Sequence, residues 1–215
     1  MVQILIFDTE TNGLPNKPAL FGNAEKDNWP DVLSICWMIY EDTTLVKTEY
    51  HLIKPDGWPV KGEGVHGLTA AMLENGKPLA EVMSVFKADI ENSRYIVAHN
   101  LRFDKNVVAS ALKWRLGIET KDIKALWPST KDICTACRGK EIYKLKTFPK
   151  LDVLYETIFG MKAPEGAHNA LRDVEVLSAV FFAKFWPEIG KAGGRRSRNK
   201  TRRNRRRQTS RNYRK

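Results

Sequence analysis

The stretch from Met1 to Leu14, MVQILIFDTETNGL, constrains this chain most. Val2 to Phe7, broken only by Gln3, is an apolar run of the kind that makes a buried strand. Two carboxylates follow, Asp8 and Glu10, one residue apart. Residues i and i+2 of a strand point to the same side, so the pair aims at one point just where the strand leaves the core. Thr11, Asn12 and Gly13 then read as a turn. Two close anions repel unless a cation lies between them, and a hard divalent metal takes oxygen ligands. An isolated D-x-E is more often a solvated strand end, so the metal reading depends on further carboxylates arriving from later elements.

Those later elements follow from periodicity and punctuation. Asn16 to Asp31 is polar and proline-punctuated, a loop. Val32–Tyr40 and Thr44–Lys54 are rich in strand formers, with Glu41 and Asp42 in a turn between them. With the first strand they make a three-stranded meander. Gly57–Gly67 reads as another loop, and Thr69 caps a short helix ending near Gly76. From Pro78, Leu79, Val82, Met83, Phe86 and Ile90 recur at helical spacing. Tyr95–Ala98 is a short buried strand. A helix from near Arg102 to Leu116 carries Phe103, Val107, Ala111 and Leu112 as its apolar stripe and stops at Gly117. Lys121–Lys146 is poorly patterned, a short helix or two with a strand or turn. Pro149 starts a helix ended by Gly160, and the last long helix runs from about Asn169 to Phe185. Strands first, then helices alternating with a short strand, predict an α/β fold with a mixed sheet covered by helices.

Two helices carry acids in telling places. Asp104, in AHNLRFD, stands in a first helical turn, where a carboxylate also complements the helix dipole. Asp173 stands in the first turns of the last helix, five residues after His168, within AHNALRDV. His168 follows the flexible approach Glu165-Gly166-Ala167. Beside an acidic metal site, its near-neutral pKa suits it to taking a proton from water.

Charge divides the chain in two. The formal net charge is +11, and residues 195–215 hold ten arginines, two lysines and no acid. Removing that +12 leaves −1 for residues 1–194. The expected organisation is a domain over 1–190 and a disordered basic tail over 191–215, which lacks the apolar residues to fold alone. Twelve positive charges suit sequence-independent phosphate binding, and Arg202–Arg207 equally suit a nuclear import receptor. No apolar run spans a bilayer and no leader precedes the first strand, so a soluble, intracellular protein, cytoplasmic or nuclear, is expected, without membrane partners.

Three cysteines are too few for a disulfide scaffold. Cys134-Thr-Ala-Cys137 lacks a second pair at zinc spacing. The chain has no Walker motif and no serine elbow, so nucleotide triphosphatase and esterase chemistry are unsupported. The six tryptophans are scattered and read as core or rim.

Taken together, the acidic segments resemble the three motifs of the DEDDh 3′–5′ exonucleases, the proofreading-type, DnaQ-like branch with a ribonuclease H-like fold. Asp8 and Glu10 in FDTETNGL match the first motif, Asp104 in HNLRFD the second, and His168 and Asp173 in HNALRD the third. GVHGLT, Gly64 to Thr69, resembles the loop these enzymes carry between the first two motifs.

The resemblance implies a ribonuclease H-like mixed sheet flanked by helices. It implies hydrolysis at 3′ ends of single strands, releasing nucleoside 5′-monophosphates, with DNA favoured over RNA. Asp8, Glu10, Asp104 and Asp173 would hold two divalent ions, Mg²⁺ with Mn²⁺ as a substitute, and His168 would be the general base. It further implies that Asn12, Gly13 and Leu14 meet the terminal nucleotide, with Leu14 wedged against its base. His66, Asn100 and Phe103 are further substrate-contact candidates, although Phe103 also continues an apolar stripe and Asn100 also suits a turn. Roles in proofreading or repair, and a polymerase as partner, come with the family. The alternatives are an exoribonuclease or oligonucleotide-specific enzyme, and a non-cleaving nucleic-acid-binding or polymerase-docking module.

Overall fold

The computed structural model describes residues 1–17, 25–26 and 28–189. The basic tail, and with it the boundary expected near residue 190, lies outside the described residues.

The apolar run at the N-terminus forms β1 (Gln3–Thr11), which pairs antiparallel with β2 (Val32–Glu41). β2 turns into β3 (Thr44–Leu52), with Asp42 at positive φ in the turn, and this completes the expected meander. The remaining strands join from the other side. β4 (Tyr95–Ala98) runs parallel to β1, and β5 (Asp132–Cys134) runs parallel to β4. The five-stranded order is β3-β2-β1-β4-β5. The mixed sheet is flanked by helices, a ribonuclease H-like α/β fold.

Between β3 and β4 lie α1 (Glu63–His66), α2 (Ala70–Glu74) and α3 (Leu79–Asn92). The first replaces part of the loop expected over Gly57–Gly67. Gly62 and Gly67 both take positive φ and delimit one helical turn that composition alone does not announce. Thr69 caps α2 as expected, its hydroxyl accepting from the Met72 amide at 3.2 Å. After β4 come α4 (Leu101–Ser110), continued by a π-helical turn to Arg115, and α5 (Thr120–Leu126). After β5 come α6 (Thr135–Ile142), α7 (Leu151–Phe159) and α8 (Ala170–Val180), the last continued by a π-helical turn over Phe181–Phe185.

Each face of the sheet has its own core. Leu5 and Phe7 of β1 pack with Trp37, Phe86, Val107, Leu112 and Trp127, under α3, α4 and α5. Ile4 and Ile6 point the other way and pack with Val174, Leu177, Phe181 and Phe185 of the α8 layer. Alternation along one strand thus feeds both cores.

Candidate active site

β1 continues through its acids, so Asp8 and Glu10 stand on the strand itself, as their i, i+2 spacing predicts. They occupy the face of Ile4 and Ile6, toward α8. Asp8 lies opposite Cys36 and Glu10 opposite Ser34 on β2, and the register shifts between Glu10 and Thr11. Such irregularities in strand pairing are common beside active sites. β1 and β4 are parallel, so both deliver their C-terminal ends to one edge of the sheet. There the first turns of α4 and α8 supply Asp104 and Asp173.

The four carboxylates converge. The charges of Asp104, Glu10 and Asp173 all act on Asp8, and those of Asp173 and Asp104 on Glu10. Burial, reinforced by this mutual repulsion, raises Asp8 well above the usual carboxylate range and Glu10 to about 8. Burial raises Asp104 to about 7, against the opposing effect of a hydrogen bond from the Thr9 hydroxyl at 2.8 Å. Thr9 points away from Asp8, so Asp104 is gripped from the α4 side of the sheet.

Asn169 caps α8, its Oδ1 accepting from the amides of Leu171 and Arg172 at 3.1 and 3.3 Å. Just before the cap, His168 takes φ 65° and donates its backbone N–H to Asp173 Oδ2 at 3.0 Å. The exposed His168 ring and the carboxylates of Glu10 and Asp173 offer ligand atoms all within 4.8 Å of one another. Arg172 donates from Nη1 to Asp173 and to Asp152 of α7, both at 2.7 Å, and from Nε to the Pro164 carbonyl at 2.9 Å.

The other predicted contacts divide. Leu14 is 80% exposed and Gly13 has open space above its Cα. The Asn12 side chain is committed internally, donating to the Pro59 carbonyl at 3.0 Å and accepting from the Asp31 amide at 2.9 Å. His66 is buried with both ring nitrogens engaged, Nε2 with the Lys61 carbonyl at 2.8 Å and Nδ1 with the Leu68 amide at 3.0 Å. Its polar atoms therefore hold its own loop. Asn100 takes φ 67° and its carbonyl accepts from the Phe103 amide at 2.8 Å, the turn-forming role open to it. Phe103 is half-buried, edge-on to Trp29 at 6.1 Å.

Sequence reasoning missed Thr9, His99, Asp152 and Arg172. Thr9 and Arg172 are neighbours of predicted acids, which was the available signal. Asp152 carried none. His99 Nδ1 meets the Thr135 hydroxyl and Nε2 the Pro149 carbonyl, both at 2.9 Å, and burial lowers its pKa. The three cysteines are free, with Cys134 Sγ accepting from the Cys137 amide at 3.4 Å.

The exonuclease (RNase T) family profile matches residues 5–181. The chain belongs to the DEDDh exonuclease family. Among curated proteins it is 29% identical over 189 residues to the PolC-type DNA polymerase III of Thermotoga petrophila, covering 86% of this chain and 12% of that protein. It is 34% identical over 146 residues to the corresponding protein of Thermotoga maritima, covering 66% of this chain and 10% of that one. The chain thus spans about a tenth of these relatives' length.

The fold is shared with E. coli exonuclease I bound to a dT13 oligonucleotide, at TM-score 0.66 and 17% identity, covering 89% of this chain and 43% of that one. Exonuclease X in complex with 5′-overhanging duplex DNA matches at TM-score 0.56 and 23% identity, covering 85% and 93%. A 3′-exonuclease recognising a histone mRNA stem-loop matches at TM-score 0.62 and 11% identity, covering 86% and 63%. DEDDh exonucleases are metal-dependent, and the site fits that dependence. Carboxylates whose pKa values burial raises, with mutual repulsion adding to the effect at Asp8 and Glu10, are a donor set of hard oxygens that suits a divalent cation.

Proposed function

We infer that this exonuclease removes nucleotides from the 3′ ends of DNA strands and releases nucleoside 5′-monophosphates. The observation that carries the reading is the convergence of three desolvated carboxylates, Asp8, Glu10 and Asp104, on Asp173, with the His168 ring at their rim. A module that only binds polyanions has no use for such a cluster, which repels phosphate until neutralised. DNA is favoured by the DNA-bound exonuclease I and exonuclease X and by the PolC-type relatives. The mRNA-recognising neighbour keeps RNA as the alternative.

Asp8, Glu10, Asp104 and Asp173 would hold two divalent ions, Mg²⁺ with Mn²⁺ as a substitute. When bound, such ions supply Lewis acidity at the scissile phosphate and neutralise charge on the leaving 3′ oxygen. The chain's own residues do the rest. His168 takes the proton of the attacking water at its ring. Asp173, bonded to the His168 amide, fixes where that ring stands. Leu14 offers an apolar edge to the terminal base, and Asn12 braces its loop against Asp31 and Pro59. The arginine-rich tail would add phosphate contacts on long strands, and the PolC-type relatives make a polymerase the natural partner class.

The test uses end-labelled DNA and RNA strands of matched sequence, incubated with Mg²⁺ and then with chelator. Shortening of DNA from its 3′ end, abolished by chelator, is the expected result. Shortening of RNA alone would move the substrate assignment. An intact strand of either kind with both Mg²⁺ and Mn²⁺ would overturn the reading.

A further inference from the structure

The connection from α6 to α7, residues 143–150, combines features that nothing in the reaction above uses. Lys140 to Lys150 reads KEIYKLKTFPK, four lysines against one acid, in a body whose residues 1–194 sum to −1. Positive charge is therefore local here. Phe148 is 55% exposed and Leu145 is 39% exposed, two apolar side chains among the lysines. Lys140 Nζ lies 5.2 Å from the Phe148 ring centroid, which adds a cation to the aromatic face. Among the described residues, Lys144, Lys146 and Lys150 are exposed and enter no ion pair.

This connection is built and anchored. The Tyr143 and Leu145 amides donate to the carbonyls of Gly139 and Lys140 at 3.0 and 2.9 Å. Pro149 is buried against Gly139, where an added Cβ would meet Pro149 Cγ at 3.3 Å and Leu154 at 3.1 Å. The anchor leads to the acids. The Pro149 carbonyl bonds His99, which directly follows β4 and whose ring feels the charge of Asp173. Asp152, two residues beyond Lys150, shares Arg172 with Asp173.

Strand order fixes which flank this is. The Asn12–Leu14 turn is tied to Asp31 at the start of β2, on one side of β1. His99 and Pro149 stand past β4, on the other. A cluster of carboxylates repels a polyanion, so a strand reaching it needs a positive approach, and the β4 side carries one.

Building on the reading above, we propose that residues 144–150 form a binding site for single-stranded nucleic acid upstream of the terminal nucleotide. Phe148 stacks on a base, while Lys144, Lys146 and Lys150 contact successive phosphates. Stacking on aromatic rings tolerates any base, as an enzyme that consumes a strand progressively requires.

The test measures binding of a labelled oligodeoxythymidylate of about twelve nucleotides to the full chain, with chelator present so that no cleavage intervenes. Phe148→Ala should weaken binding about tenfold, as expected for one lost stacking partner. Phe148→Trp should restore it. The triple variant Lys144→Gln, Lys146→Gln, Lys150→Gln should make the slope of log K against log salt shallower by about 2. With Mg²⁺, kcat on a dinucleotide, which has no strand beyond the scissile bond to reach this site, should be unchanged in all of these variants. Wild-type affinity in Phe148→Ala and in the triple variant would overturn the proposal. So would equal loss on the dinucleotide, or displacement of the strand by polyglutamate as readily as by unlabelled strand. If the wild type binds the strand but never cleaves it, the reaction falls and this site stands. If it cleaves and the variants bind normally, the reverse holds.

Discussion

One face of β1 meets the α8 layer along its whole length. In its first half that face presents Ile4 and Ile6 to Leu177, Phe181 and Phe185. Two residues further on it presents Asp8 and Glu10 to the α8 N-terminus and Asp173. The backbone is continuous and the layers are the same, yet one end lowers the free energy of folding and the other raises it. Burying the hydrocarbon end contributes roughly 25 cal/mol per Å². The same close approach strips water from the acid end, and burial is the largest cause of the raised pKa values there. The hydrocarbon end therefore holds the carboxylates in proximity that they would not adopt alone.

The comparison breaks most sharply at Asp8. Asp8→Ala should remove cleavage while leaving the thermal midpoint of the metal-free protein unchanged or higher, since it removes repulsion from a buried cluster. Near-wild-type activity in an end-labelled strand assay would sink the metal-site assignment. His168→Ala comes next, with turnover reduced by roughly 10² to 10⁴ and Mn²⁺ affinity little changed in a titration. Lost affinity with an unaltered single-turnover rate would reverse its role.

At the other end, Phe181→Ala should cost about 3–5 kcal/mol of stability, read by denaturant unfolding, with activity per folded molecule retained. Equal losses of both would mean that the two ends are not separable.

The smallest effect is the pH dependence of the metal-free protein. Glu10 moves from 4.5 to about 8 on folding and Asp104 from 3.8 to about 7. The folded state therefore binds more protons between these values, and stability falls as pH rises through them. The unfolding midpoint in chelator should drop between pH 5 and about 8, and Mg²⁺ should flatten that slope. A midpoint rising across this window would contradict the cluster's electrostatics.

What the sequence revealed tracks what it encodes locally. β1 to β4, α3 and α7 were legible because their apolar spacing is regular and Pro or Gly marks several ends. β5 was legible only as a strand or turn somewhere in Lys121–Lys146, because three residues carry no period and its strand character comes from pairing with β4. α1 was hidden in a loop because two glycines at positive φ define it. In the site, the acids were visible because four of them share one unusual arrangement of motifs. His66 and Asn12 show the limit. Nothing in their neighbours along the chain says that their polar atoms are spent on Lys61, Leu68, Asp31 and Pro59. Arg172 was passed over as an ordinary helix residue until the fold set it between Asp152 and Asp173.

The left-handed backbone at His168 is a local store of conformational strain. A side chain there is tolerated at a cost of about 1–2 kcal/mol that glycine escapes, while the amide that bonds Asp173 is present in either case. Glycine at this position relieves the strain, and alanine, which keeps its Cβ, does not. A raised unfolding midpoint in His168→Gly, absent in His168→Ala, would read that strain directly, as folding stability given up to stand an imidazole at the rim of the acids.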